Sequence, residues 1–112
     1  MRIKQFEIWL ADLNPSRGTE PGKTRPVVII QTDLLNGIHP STIICPLTTN
    51  IRPEVQLLRV HIKKGRSGRA SDILVDQIRS IDKTRLLRRL GRLQRNQIQA
   101  LRKNIKIVLD LA

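Results

Sequence analysis

Two polar residues stand at the ends of apolar runs, where they could act on a phosphodiester. Arg25 precedes the run Pro26–Gln31, and Thr48 ends the run Ser41–Thr48. A guanidinium can hold a phosphate with two parallel hydrogen bonds, and a threonine hydroxyl can donate a third to the same group. Cleavage of RNA without a metal ion needs such donors, a 2′-hydroxyl nucleophile and a group that removes its proton. The pair makes this cleavage a candidate reaction for the chain.

The proton acceptor is the part of this chemistry that the sequence leaves open. A guanidinium stays protonated in proteins, so Arg25 is a poor base. Glu20 is the only acid in the segment 14–24 and could accept the proton, or it could pair with a neighbouring cation instead. His39 and His61 are expected to be surface or strand-packing residues rather than catalysts.

Composition excludes several other kinds of site. The only cysteine, Cys45, and two histidines cannot form a Cys/His zinc site unaided, and the thiol is expected to be buried and inert. Phe6 and Trp9 are the only aromatic residues, which excludes an interface built on several stacking rings. Trp9 is expected in the core or at a dimer interface. Asp72, Asp76 and Asp82 are the only acids near one another in residues 51–112, and they are expected to balance local charge, so no metal or cofactor is predicted.

The positive charge is large and unevenly distributed. The chain carries 21 Lys and Arg residues against 9 Asp and Glu residues, and residues 51–112 contain 16 of the former and 5 of the latter. A field of this sign attracts polyanions, with nucleic acid first and an anionic membrane surface or an acidic protein as alternatives. The highest density of positive charge lies in the segment 63–69, which is either a loop that contacts phosphates or a plain turn. Its cations are Lys63, Lys64, Arg66 and Arg69.

The elements that must position these residues are mostly short strands. Six are predicted, with Pro26 at the first position of the second, where a missing N–H costs no hydrogen bond. Their bounds are Glu7–Leu13, Pro26–Gln31, Ser41–Thr48, Val55–Ile62, Ile73–Val75 and Gln77–Ile81. Short strands separated by glycine and proline favour a small antiparallel barrel or sandwich.

Two helices are predicted after the strands. The first begins at Asp82, a good N-cap, and ends at Gly91; its apolar residues are Leu86, Leu87 and Leu90. The second runs from about Gln94 to Asp110 and carries an apolar face that should dock on the sheet. This face consists of Ile98, Leu101, Ile105, Val108 and Leu109, with Arg95, Arg102, Lys103 and Lys106 largely off it.

The segment 14–24 is too long for a plain hairpin loop. Pro15 and Pro21 stiffen it, which favours a functional loop over a disordered one, and it leads directly to Arg25. The 112 residues fit one domain, with no signal-peptide pattern at the start. The uncharged stretch 34–51 is broken by Pro40 and Pro46, so it cannot be a membrane helix. A cytoplasmic protein with no membrane partner is expected.

Three blocks of the sequence resemble the MazF/PemK toxins of bacterial toxin–antitoxin pairs. The first lies within Glu7–Gln31 and reads EIWLADLNP, GTEPG and TRPVVIIQ. The second, Ile44–Thr49, is similar to the strand of that family that ends in threonine. The third, Val75–Asp82, is similar to its Gln-Ile-Arg-Thr-Ile-Asp signature, with Ser80 in place of the threonine.

The resemblance implies a fold and an activity. The fold is mostly β with a C-terminal helix, a small SH3-like barrel of the MazF/PemK/CcdB type that spans residues 1–112, usually as a homodimer. The activity is that of a sequence-specific, metal-independent endoribonuclease, which cleaves single-stranded mRNA to 2′,3′-cyclic phosphate and 5′-hydroxyl ends. A cognate antitoxin, expected to be acidic and largely disordered because the toxin surface is basic, would neutralise it.

The resemblance also assigns residues by position. Arg25 and Thr48 match the catalytic Arg and Thr of the family, Thr19 and Glu20 fall where its first loop meets RNA, and Gln77 falls in its base-contacting strand. The remaining candidates for RNA contact are Arg17, Lys23, Lys63, Lys64, Arg66 and Arg79. Two departures are Leu74, where some members have an arginine, and Thr19, where some have a histidine.

Two other functions stay open at this point. The same barrel occurs in toxins that bind and poison DNA gyrase without catalysis, because a fold does not determine chemistry. The chain could also be a basic RNA-binding domain that does not cleave.

Overall fold

The computed structural model describes residues 2–15, 17–19, 23–63 and 69–112. They form the strands β1 (Glu7–Asp12), β2 (Thr24–Ile29), β3 (Ser41–Thr48), β4 (Arg59–Ile62), β5 (Ser71–Leu74), β6 (Arg79–Asp82) and β7 (Leu86–Arg92). The helices are α1 (Asp33–Asn36) and α2 (Arg95–Val108), and 3₁₀ turns lie at Val75–Gln77 and Lys83–Arg85. The predicted fold class, mostly β with a C-terminal helix, is confirmed.

The strands form one antiparallel sheet in which β3 has the most partners. The order across the sheet is β4-β5-β3-β2-β1-β7, and β6 pairs with the first half of β3 while β5 pairs with its end. Within the described ranges β4 and β7 do not pair with each other, so the sheet is curved around its core but not closed. Every pairing is antiparallel.

Each face of the sheet carries its own apolar cluster, because alternate residues of a strand point to opposite faces. One cluster consists of Ile3, Trp9, Ala11, Leu13, Val27, Ile29, Ile44, Ile81 and Leu86. The other consists of Phe6, Val28, Cys45, Leu47, Val60, Ile73, Val75, Leu93 and Leu101. Leu101 comes from α2, so the C-terminal helix covers the second face, as its apolar spacing predicts.

The start and the apolar face of α2 agree with the sequence. Gln94 is its N-cap and exchanges capping hydrogen bonds with Gln97. Leu101 is fully buried, while the partly buried residues packed beside it are Ile98, Ile105 and Val108. Leu109 differs from the prediction: it is the C-cap and is exposed, since the helix ends before it can face the sheet.

The helix predicted to begin at Asp82 is wrong. The Asp82 carboxylate does accept a hydrogen bond from the Thr84 N–H, at 2.9 Å, but it caps only a 3₁₀ turn. The chain then forms β7, which pairs with β1 along its edge. Leu86 alone of the three leucines is buried, because the other two face solvent on the strand. The segment forms a strand rather than a helix because it can pair with the edge of β1, which would otherwise be open.

Several strand bounds also differ from the prediction. β4 begins at Arg59 rather than Val55, and Gln77 lies in a 3₁₀ turn rather than a strand. Pro26 is the third residue of β2, opposite Leu10 of β1. The β2–β3 ladder begins only at the next residue, Val27, which is consistent with the missing N–H of proline. No helix in the described part of the chain is long and apolar enough to cross a membrane.

The packing of α2 makes a stability prediction. Leu101→Ala removes a fully buried side chain from the second cluster, so we expect the free energy of unfolding to fall by about 2 to 5 kcal/mol. The matched control is Leu34→Ala, since Leu34 is 85% exposed and its truncation should change stability by less than about 0.5 kcal/mol. Urea denaturation measures both. Equal losses in the two variants would contradict the assigned packing.

Candidate active site

The pairing of β2 with β3 determines where the two candidate catalytic residues lie. Val27 is opposite Pro46, and the same register holds for the next two pairs. Continued by two residues in the other direction, past the last observed pair, this register would set Arg25 opposite Thr48. Residues directly opposite in an antiparallel pair have Cβ atoms about 4.5 to 5.5 Å apart and share a face. Both side chains are half-buried, at the ends of their strands, and Arg25 makes a further interaction within the protein.

The row of side chains continues beyond Thr48. Asp72 of β5 is opposite Thr48, and His61 of β4 is opposite Asp72. Arg25, Thr48, Asp72 and His61 therefore follow one another on the same face, across four neighbouring strands. Sequence reasoning found the first two of these residues and not the connection to the others.

The carboxylate of Asp72 is fully buried and accepts hydrogen bonds from three groups. Oδ1 lies 2.7 Å from His61 Nδ1, and Oδ2 lies 3.0 Å from Arg59 Nη1 and 3.0 Å from the backbone N–H of Arg52. Burial by itself would raise the pKa of Asp72. The hydrogen bonds from Arg52, His61 and Arg59 outweigh it and lower the pKa below its ordinary value. The carboxylate is thus charged at neutral pH and holds a loop, residues 49–58, against the sheet.

His61 is engaged at both ring nitrogens. Nδ1 faces Asp72, and Nε2 lies 2.9 Å from the carbonyl oxygen of Val55. A carbonyl accepts only, so Nε2 donates and is not available as a base in this arrangement. His39 lies in an exposed turn, where its Nδ1 accepts from the Ser41 N–H at 3.1 Å. Both histidines make hydrogen bonds within the protein, and their expected non-catalytic role stays a prediction.

The base of the first loop is closed by hydrogen bonds. The Leu13 N–H donates to the carbonyl of Lys23 at 2.9 Å, and the Lys23 N–H donates to Asn14 Oδ1 at 2.8 Å. Arg85 donates from Nη1 to the carbonyl of Asp12 at 3.0 Å and also to that of Asn14. Gly18 has φ +58°, a conformation that glycine adopts at little cost. These bonds hold the segment that leads into β2.

The predicted RNA-contacting residues of this loop are partly described. Arg17, Thr19 and Lys23 are exposed, so they are available to a ligand. Lys23 has φ +64°, a left-handed conformation that is uncommon for a residue with a side chain. Glu20, the candidate proton acceptor, lies outside the described residues.

Gln77 and Arg79 lie along β3 from Thr48. Arg79 of β6 is opposite Ile44, four residues from Thr48 and on the same face, which is about 13 Å at the rise of a strand. Gln77 precedes it in the 3₁₀ turn, and both are half-buried. Arg79 Nη1 is buried and has no hydrogen-bond partner among the described residues. An unpaired, buried guanidinium nitrogen is uncommon, and it can donate to a ligand only if neighbouring side chains move to expose it.

A groove of about 1080 Å³ concentrates cations at the same end of the sheet. Its basic lining residues are Lys63, Arg69, Arg89 and Arg92. Leu47 also lines it, and because Leu47 and Thr48 are neighbours in a strand their side chains point to opposite faces. His61, the last residue of the row, also lines the groove, so the groove adjoins the row. Lys64 and Arg66 lie outside the described residues, and sequence reasoning missed the two β7 arginines because it predicted a helix there.

Trp9 and Cys45 are core residues, as expected. The Trp9 side chain is buried, and Nε1 donates to Glu7 Oε1 at 3.1 Å. Burial, with a contribution from the Asp76 carboxylate, raises the pKa of the Cys45 thiol to about 12. A thiol with such a pKa is an inert side chain at neutral pH.

Comparisons with known proteins agree with this fold. Among curated proteins, the chain is 35% identical to Endoribonuclease EndoA of Bacillus subtilis (strain 168) over 113 residues, 99% of this chain and 97% of that protein. Among solved structures it is similar to the Mycobacterium tuberculosis toxin MazF-mt6, with 25% identity, a TM-score of 0.74, and 95% and 98% of the two chains covered. These relatives give no support to the gyrase-binding alternative.

Two further structures share the fold at lower identity. MazF from Deinococcus radiodurans has a TM-score of 0.85 at 20% identity over 99% of each chain. A MazE–MazF structure from the same organism has a TM-score of 0.77 at 18% identity over 100% of each chain. Residues 4–109 match the family model of the PemK-like, MazF-like toxins. That match covers nearly the whole chain, and with the 35% identity to EndoA it shows that the chain belongs to the PemK-like, MazF-like toxin family of type II toxin–antitoxin systems.

Proposed function

We propose that this chain is an endoribonuclease toxin that cleaves single-stranded mRNA at a specific sequence without a metal ion. The observation that carries the proposal is the antiparallel β2–β3 pairing, whose register, continued two residues past Val27 and Pro46, would bring Arg25 and Thr48 to one face of the sheet. Family membership and the identity to a curated endoribonuclease support it independently. The products are RNA ends with a 2′,3′-cyclic phosphate and a 5′-hydroxyl.

The proposed chemistry is an internal transfer within the RNA. The 2′-oxygen attacks the adjacent phosphorus, forms the new P–O2′ bond and gives its proton to an acceptor, for which Glu20 is the candidate. The bond from phosphorus to the 5′-oxygen breaks, and that oxygen takes up a proton. Negative charge develops on the phosphoryl oxygens meanwhile, and Arg25 and Thr48 stabilise it with hydrogen bonds.

Other residues serve to bind and align the RNA. Arg17, Thr19 and Lys23 contact it from the first loop, where they are exposed. Gln77 and Arg79 contact it further along β3, where both are half-buried. Two contact points separated by about 13 Å along a strand can recognise several successive nucleotides, which is what sequence specificity requires.

The catalytic assignment makes the first test. Arg25→Ala should lower the cleavage rate of a long single-stranded RNA in EDTA at least ~100-fold, because it removes a donor that acts in the transition state. Thr48→Val should change the rate in the same direction. Arg95→Ala, at an exposed arginine at the start of α2, is the matched control and should cleave normally. Normal cleavage by a folded Arg25→Ala protein would refute the assignment, and no cleavage by the unmodified protein would refute the function.

The cationic groove makes a second prediction. Lys63 and Arg69 line the groove, and we expect each to contact one phosphate. Each such contact adds roughly 0.7 to the slope of log affinity against log salt concentration, so replacing both residues with Gln should reduce the slope by about 1.4. The position of cleavage should not change. Lys103 and Lys106, two exposed lysines of α2, provide a control pair with the same loss of charge. Binding of a 2′-deoxy analogue over a salt series measures the slope, and an equal effect of both pairs would mean a general field rather than contacts.

We also propose a homodimer in the cytoplasm that is silenced by an acidic antitoxin. The net charge of +12 suits a partner of opposite charge, and an extended acidic segment could replace RNA phosphates with carboxylates. The first loop, with exposed Arg17 and Lys23 and with Arg25 behind it, is where the two ligands would overlap. The MazE–MazF structure with the same fold is consistent with such a partner.

Competition between RNA and antitoxin makes a third prediction. The antitoxin encoded beside this chain should displace a 2′-deoxy RNA analogue from the dimer, and the analogue should displace the antitoxin, because both need the same cationic loop. Fluorescence anisotropy with each ligand labelled in turn measures this. Simultaneous binding of both ligands with undiminished affinity would exclude occlusion as the means of inhibition.

A further inference from the structure

We infer that Asp72 and Arg59 position the hydroxyl group of Thr48 for the reaction, through the turn that follows β3. The inference rests on the proposed function, since it assigns a purpose to Thr48. It concerns positioning residues, which touch neither the RNA nor the reacting atoms.

A continuous chain of hydrogen bonds connects these groups. Arg59 Nη1 donates to Asp72 Oδ2 at 3.0 Å and to the carbonyl oxygen of Asn50 at 2.7 Å. The backbone N–H of Asn50 in turn donates to Oγ1 of Thr48, at 3.1 Å. One guanidinium nitrogen thus bridges the buried carboxylate and the residue that contacts the hydroxyl of Thr48.

The turn is fixed at two points by the same carboxylate. Asp72 accepts directly from the backbone N–H of Arg52, and through Arg59 it holds the carbonyl of Asn50. Asn50 itself is exposed, so its place depends on these bonds rather than on apolar packing. Because hydrogen bonds to charged groups are stronger than neutral ones, the charged Asp72 and Arg59 form a rigid support.

The consequence for Thr48 is the direction of its proton. A threonine hydroxyl has one proton to donate and two lone pairs that accept. When the Asn50 N–H occupies one lone pair, the side chain is held in one rotamer and its proton must point away from that donor. The remaining directions include the one toward a phosphate held by Arg25, so the bond from Asn50 aligns the hydroxyl for donation to it. Such alignment before the reaction is what makes a donor effective in a transition state.

Arg59→Lys tests the inference, because it keeps a positive charge but places it one bond closer to the backbone, where Nζ does not reach both Asp72 Oδ2 and the Asn50 carbonyl. We expect the single-turnover cleavage rate to fall about tenfold, while the Kd for a 2′-deoxy RNA analogue changes less than twofold. In a Thr48→Val background the same substitution should have no further effect, because the hydroxyl on which it acts is gone. Arg95→Lys, at an exposed arginine outside this network, is the matched control in both backgrounds.

A second substitution covers the case in which Arg59→Lys does not fold. Asn50→Gly loosens the same exposed turn without disturbing the buried pair of Asp72 and Arg59. We expect cleavage to be several-fold slower when Thr48 is present and unchanged in the Thr48→Val background. Equal effects in both backgrounds would assign the network to general stability and overturn the inference. An unchanged rate with Thr48 present would also overturn it. Failure of the unmodified protein to cleave RNA would instead refute the proposed function.

Discussion

The pairing of β3 is the constraint on which the other features depend. This strand pairs with β2 on one edge and with β6 and then β5 on the other, so every element near its end is placed by backbone hydrogen bonds. Such bonds fix register, and a slip by one residue would turn Arg25 or Thr48 to the opposite face. The row of Arg25, Thr48, Asp72 and His61 thus follows from the same pairing that builds the two apolar clusters.

The buried carboxylate of Asp72 shows the cost of this arrangement. Taking a charge out of water is expensive unless it is paired and hydrogen-bonded, and removal of one partner from such a pair costs several kcal/mol. Asp72 is satisfied by Arg59 and His61 of β4, the strand that pairs with its own, and by the backbone of Arg52 in the turn after β3. A short turn without an apolar anchor is held in place in this way, next to the candidate catalytic threonine.

The sequence was most informative where a pattern is local. The β-branched run after Arg25 predicts β2, the charge-free run ending in Thr48 predicts β3, and the spacing around Leu101 predicts α2. The leucines from Leu86 to Leu90 led to a wrong prediction of a helix. Their spacing over five residues fits a helix, but it fits equally a strand with one buried side chain. What decides there is the open edge of β1, which lies about eighty residues earlier in the chain.

The positioning network could not be found from the sequence for a similar reason. Arg59 and Asp72 are thirteen positions apart and meet only because β4 pairs with β5. Asp72 was expected to balance local charge. It does pair with Arg59, but charge balance gives no indication that it also holds the turn after β3. Thr48 and Asn50 are close in the chain, yet a threonine followed by a polar residue is too common a pattern to indicate their bond.

The open sheet has a consequence for behaviour at high concentration. An unpaired strand edge is a template on which a second copy of a chain can add a strand, and proteins commonly prevent this with charged residues at the edge. β7 is such an edge strand in the described part of the protein, and its polar residues include Arg88, Arg89 and Arg92. Two copies that approached through this edge would bring six guanidinium groups together. Arg89 is paired with Glu7 at 2.6 Å, so the repulsion that would oppose such an approach comes chiefly from Arg88 and Arg92.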